Sequence, residues 1–144
     1  MKNAITILFL ILLTFGAADS LAKPKTAVKV SQNSIESLMN GLSSENLGLK
    51  SSSAYMIGEL QLSEAVIPLM RILHQDENAE IRIAAALALY KIGSPIAIHA
   101  VKQAIRFDDS ERVSKLCTSF YSEYLKNKFN DEEKTEYEAN IATN

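Results

Sequence analysis

Cysteine is almost absent from this 144-residue chain, with Cys117 the only one. A single thiol cannot close an intramolecular disulfide, so packing alone must hold the fold. Its place far from the N-terminus excludes a lipid-carrying cysteine at the start of a processed chain. Glycine (5) and proline (3) are scarce, which leaves too little turn chemistry for a many-stranded β fold. Neither sign of charge dominates. With 15 Lys+Arg against 17 Asp+Glu and a net charge of −2, no global field points to nucleic acid or to an anionic membrane. No Asn-x-Ser/Thr acceptor occurs. At this length the chain holds one domain.

The one sustained apolar run, Ala4 to Phe15, is too short to span a bilayer, which needs about 20 residues. Lys2 precedes it, and Ser20-Leu21-Ala22 places small side chains at the −3 and −1 positions of a cleavage site. Residues 1–22 are therefore expected to be a secretory signal. The product would be exported, periplasmic or extracellular, with no membrane span and a charge still at −2. Residues 23–33 are expected to form a flexible lead-in, 34–128 a helical domain and 129–144 a polar tail. Asp131-Glu132-Glu133-Lys134-Thr135-Glu136 within that tail is expected to be a solvated, fraying end.

What the sequence does contain is a repeat. Shifted by 32 positions, Leu49 falls on Ile81, Lys50 on Arg82, Ala54 on Ala86, Ile57 on Leu89 and Leu60 on Ile92. The register continues with Ala65 on Ala97, Val66 on Ile98, Leu69 on Val101 and Leu73 on Ile105. A second shift brings Val113 under Ile81, Leu116 under Ala84, Cys117 under Ala85, Tyr121 under Leu89 and Tyr124 under Ile92. Periods of this length mark stacked supersecondary units.

Within each unit the apolar spacing is helical. Leu49, Met56, Ile57 and Leu60 mark one core face, and Val66, Leu69, Met70 and Leu73 the next. Ile81, Ala85, Ala88, Leu89 and Ile92 follow, then Ile98, Val101 and Ile105. Asn78 is a candidate N-cap, Gly93 a left-handed C′ residue, and Ser94-Pro95 an N-cap followed by Pro at N1. Asp108 and Glu111 have capping-box spacing. Pro68, about one turn inside its helix, is expected to bend that turn and delete one backbone bond. A single earlier helix is expected at Ile35, Leu38, Met39 and Leu42, and a last one from about Glu111 to Leu125. The fold class is thus all-α: a short α-solenoid of about six helices, two full repeats flanked by half-repeats. A lone pair buries too little to offset its ordering, so each unit needs neighbours.

Leu49-Lys50-Ser51-Ser52-Ser53-Ala54-Tyr55-Met56-Ile57-Gly58-Glu59-Leu60 and Ile81 to Gly93 resemble the first helix of HEAT repeats. The closest likeness is to the short HEAT-like repeats also seen in phycobilisome lyases. Glu64 to Leu69 and Pro95 to Ile98 resemble the second helix. The resemblance spans about residues 44–125 and implies a scaffold or adaptor, since most of that family are such. A lyase-like enzyme, or an accessory subunit of one, is the alternative it also raises. A self-associating structural component is a third.

The candidate chemistry is sparse. Cys117 shares a helical face with Val113, Leu116, Phe120 and Tyr124, which suits an inert core thiol better than a nucleophile. His74 and His99 occupy non-equivalent repeat positions, about 10 Å apart along neighbouring helices. Zinc needs ligands at about 2 Å and further partners, so no metal and no cofactor is expected. The metal-binding HEAT-like hydroxylases use His-Glu pairs, whereas His74-Gln75 and His99-Ala100 stand here. With Val66, Leu69 and Leu73 inward, Ile67, Met70, Arg71 and His74 share another stripe. The repeat adds His99, Lys102, Gln103 and Arg106. These eight residues contain three fixed cations and no carboxylate. The resemblance implies that they line a concave face, where they would suit an acidic segment of a partner protein. The late aromatics Phe120, Tyr121, Tyr124 and Phe129 are expected to cap the final unit. Enzymatic activity is not expected, and the oligomeric state stays open.

Overall fold

The computed structural model describes residues 30–142. The expected signal segment, residues 1–22, and most of the expected lead-in lie outside them. The described residues form six helices and no strand: α1 (Gln32–Leu42), α2 (Leu47–Glu59), α3 (Val66–Gln75), α4 (Ala79–Ile92), α5 (Pro95–Phe107) and α6 (Glu111–Ala142). First helices α2, α4 and α6 pack in one column, and second helices α3 and α5 in another that makes sparser mutual contact. This is the short all-α solenoid expected from the period.

The repeat is visible atom by atom in the inter-unit loops. Ser44, Asp76 and Asp108, spaced by 32, each accept a backbone N–H two residues on, at 3.1, 3.0 and 2.8 Å. Asn46 and Asn78, two residues later, cap α2 and α4 by accepting from Leu49 and Ile81. Ser110 stands at the same place, immediately before α6. The capping box of Asp108 with Glu111 does not form: Asp108 ends α5 and Glu111 pairs with Lys115 one turn ahead. Gly93 does adopt the left-handed conformation (φ 69°) beyond α4, and Ser94 caps α5 with Pro95 at its start.

Register pairs fill the core. Ile57 and Leu89, Leu69 and Val101, and Ala85 and Cys117 are all essentially inaccessible. Leu49, Ile81 and Val113 occupy the same third position of α2, α4 and α6. Ile81 and Val113 are buried, whereas Leu49 is 52% exposed. Met56 is exposed too. Both were expected in the core, and both stand exposed because, among the described residues, no first helix precedes α2 to cover the face that α2 covers on α4. Close approach of the first helices depends on Gly58, where an added Cβ would lie 2.8 Å from the Cα of Ala88.

Two other expectations need correction. Pro68 deletes no bond, because a separate 3-10 turn (Ser63–Ala65) precedes α3, which starts at Val66. Pro68 then lies among the first residues of the helix, whose N–H groups have no partner within it. The final helix also continues far past Leu125, through the expected polar tail, to Ala142. Of the late aromatics, Phe120 and Tyr121 pack on the core and Phe120 stacks on Tyr90 at 5.7 Å, but Phe129 is exposed.

Charged residues join the layers. The guanidinium of Arg82 donates to both carboxylate oxygens of Asp108 (2.9 and 2.8 Å) and to Asp109 (2.6 Å). It also donates to the carbonyls of Asp76 and Glu77 in the preceding loop. It thereby bridges two successive loops, which a five-donor planar group can do. At the equivalent places Lys50 makes one bond to Asp76 (2.9 Å). Burial opposes the charge on Asp76 and Asp108, but the cation and the loop N–H outweigh it and hold both carboxyls below their usual value. Two further pairs, Glu59–Lys91 and Glu80–Arg112, join residues at the same place in consecutive units.

Candidate interaction surface

The second helices α3 and α5 turn their core stripes (Val66, Leu69 and Leu73; Ala97, Ile98, Val101 and Ala104) inward. Helical geometry then obliges the intervening residues to face out. Ile67, Arg71 and His74 on α3 are exposed, as are His99, Lys102 and Arg106 on α5. Met70 and Gln103 are half-buried, Met70 packing on the core. The eight expected residues thus share the outward side of one helix column. Gln103 and His99 approach at 3.3 Å through their side-chain nitrogens.

The electrostatics of this face differ from those of the rest of the molecule. Between residues 30 and 142, Lys50, Arg82, Lys91, Arg112, Lys115, Lys126, Lys128 and Lys134 each pair with a carboxylate. The remaining cations, Arg71, Lys102 and Arg106, have no carboxylate partner among the described residues, and all three lie on this face. Lys102 rests 5.5 Å from the ring centre of Tyr121 and Arg106 5.6 Å from that of Phe107. Aromatic faces attract cations without neutralising them, so the positive charge stays available.

Three neighbours were not anticipated. Ile96 (50% exposed) and Phe107 (70%) join Ile67 (56%) as exposed apolar groups on these helices, and Tyr121 sits beneath Lys102. The register held a signal for two of them. Ile96 falls on Glu64 and Phe107 on Gln75, so an apolar residue replaces a polar one at a surface place.

Elsewhere the described residues hold little reactive chemistry. Cys117 is fully buried, and burial pushes its thiol up to about 11; such a thiol is a poor nucleophile at neutral pH. His74 and His99 belong to no group of three or more metal-competent side chains among the described residues. A shallow depression of about 640 Å³ lies between the α1–α2 and α3–α4 loops, and its one lysine, Lys50, is already paired with Asp76. An apolar groove of about 670 Å³ runs between α1 and α2 beside Val30, Leu38, Met56 and Leu60. No described helix is long and apolar enough to cross a membrane.

No curated protein matches the chain. The HEAT repeats family matches residues 35–119, from α1 into the packed part of α6. A stack of helix pairs with loops in register, matched over more than half its length, places this chain in the HEAT repeat family.

Proposed function

We propose that this protein is an exported, non-enzymatic adaptor or assembly factor that holds an acidic segment of a partner protein against the outward face of α3 and α5. HEAT repeats generally mediate contacts between proteins. One observation carries the reading: the cations without an ion-pair partner among the described residues are Arg71, Lys102 and Arg106, and they share that face with exposed Ile67, Ile96 and Phe107. Apolar contacts would supply affinity, and the cations would supply orientation and rate of encounter. The burial of Cys117 opposes the rival lyase-like reading, which needs an accessible nucleophile.

Fluorescence anisotropy with a labelled Glu-rich probe peptide tests the face directly. Binding should weaken on the order of tenfold in the Arg71→Glu/Arg106→Glu chain and fall with added salt. Equal binding by the two chains would remove the assignment.

A further inference from the structure

α6 is much longer than the helices it packs against. At 32 residues it extends about 48 Å, whereas α5, with 13, covers about 20 Å. Val113, Cys117, Phe120 and Tyr121 bind its first half to the core. From Lys126 to Thr135 every side chain is exposed, including Phe129 at 63%. The overhang carries Asp131, Glu132, Glu133, Glu136 and Glu138 against Lys126, Lys128 and Lys134, with Glu132 and Glu138 paired to Lys128 and Lys134. As one continuous helix it projects past α5 and cannot turn back onto α3 and α5 of its own molecule.

Its spacing fits the unpaired cations. Phe129, Glu133 and Glu136 recur at helical intervals of 4 and 3 residues, and so do Ile67, Arg71 and His74. A helix laid along α3 and α5 in this register sets Phe129 by Ile67 and Ile96, and its carboxylates by Arg71, Lys102 and Arg106.

We infer that the acidic end of α6 in one copy docks on the basic second-helix face of a second copy, and that the exchange is reciprocal, closing a two-fold dimer. The inference rests on the proposed role of that face as an acceptor for acidic segments, and names this chain itself as one such segment. A two-fold arrangement satisfies both arms and leaves no open end for further growth. Because exposed ion pairs are individually weak, the dimer is a salt-sensitive, micromolar one rather than an obligate one.

Sedimentation velocity of the full chain, from about 5 to about 500 µM in low salt, reads the association. Arg71→Glu/Arg106→Glu reverses the face, and Glu133→Lys/Glu136→Lys reverses the arm. Each variant alone should self-associate about 10-fold more weakly than the natural chain. An equimolar mixture of the two should associate again, since opposite charges then meet at both contacts. A natural chain that stays monomeric throughout overturns the inference, as does association unmoved by either reversal. A chain whose arm is neutralised rather than reversed, Glu133→Gln/Glu136→Gln, leaves the face bare without creating a second basic site and keeps the two proposals apart. If it still binds the Glu-rich probe while the natural chain is monomeric, only the dimer falls; if it does not, the reading of the face falls with it.

Discussion

Replacing Asp108 with Asn asks how far the buried guanidinium of Arg82 depends on one carboxylate. The two side chains are only 5% and 9% exposed, and Arg82 gives Asp108 two of its five hydrogen bonds. The amide keeps the shape and can still accept the Ser110 N–H, but it removes the negative charge and turns a donor toward another donor. Breaking one side of a buried ion pair costs about 3–5 kcal/mol. Asp109 remains within 2.6 Å, though its side chain is 91% exposed and screened by water. The expected loss is therefore about 3 kcal/mol, a large share of the 5–15 kcal/mol or so that holds a domain folded. That is roughly 10–15 °C in Tm. Urea denaturation followed by circular dichroism measures it, and repeating the titration down the pH scale tests the cause. The carboxyl of Asp108 lies below its ordinary 3.8 in the folded chain. Its contribution is complete above that value and is lost as pH falls through the lowered folded value. An amide does not titrate. The gap between natural chain and variant should stay level from pH 7 down toward the ordinary carboxyl value and close as the pH falls below it. A gap under about 1 kcal/mol at pH 7, or one that persists in acid, refutes the assignment.

Gly58→Ala should destabilise by about 1–2 kcal/mol in the same assay, because its Cβ meets the Ala88 backbone and overpacking outweighs the better helix propensity; a gain in stability would mean that α2 and α4 are not so close. Leu89→Ala, at a fully buried place, should cost about 3 kcal/mol through transfer and cavity terms, and a loss under 1 would place Leu89 outside the core. Gly93→Ala should lose about 1 kcal/mol at its left-handed backbone angle, whereas a neutral change would argue for a different helix end. Cys117 should resist thiol reagents at pH 8 in the native state and react at the rate of unfolding; prompt stoichiometric labelling would expose a reactive thiol.

The stacked architecture was legible because burial follows the repeat, and a shift of 32 overlays residues that physically superpose. Asn78, Gly93, Ser94 and Pro95 were readable for a simpler reason: each satisfies a local backbone need that no distant contact overrides. Leu49 and Met56 misled because their hydropathy matches that of Ile81 and Ala88 while their neighbours do not. Whether a terminal unit is covered is a property of the stack, not of the residue. Asp108 misled because a carboxylate three residues before Glu111 fits two local motifs, and a long-range partner, Arg82, decided between them. Lys50 over Arg82 and Ser44 under Asp76 were already aligned in the sequence, but a loop clasp between residues 26 apart has no helical or strand period to announce it. On the candidate face, helical phase was sufficient to bring the eight residues to one side. The isolation of its three cations could be seen only once every other cation among the described residues had found its partner.

The two contacts between equivalent places, Glu59 to Lys91 and Glu80 to Arg112, carry a further consequence. A unit stacked on a duplicate of itself would set lysine against lysine at the first and glutamate against glutamate at the second. Each layer therefore bears an address: it accepts the next one in the chain and repels its own twin. Lengthening the rod by copying residues 79–110 would require the sign at 80 and 91 to alternate from copy to copy, as it already does from Glu59 to Lys91 and from Glu80 to Arg112.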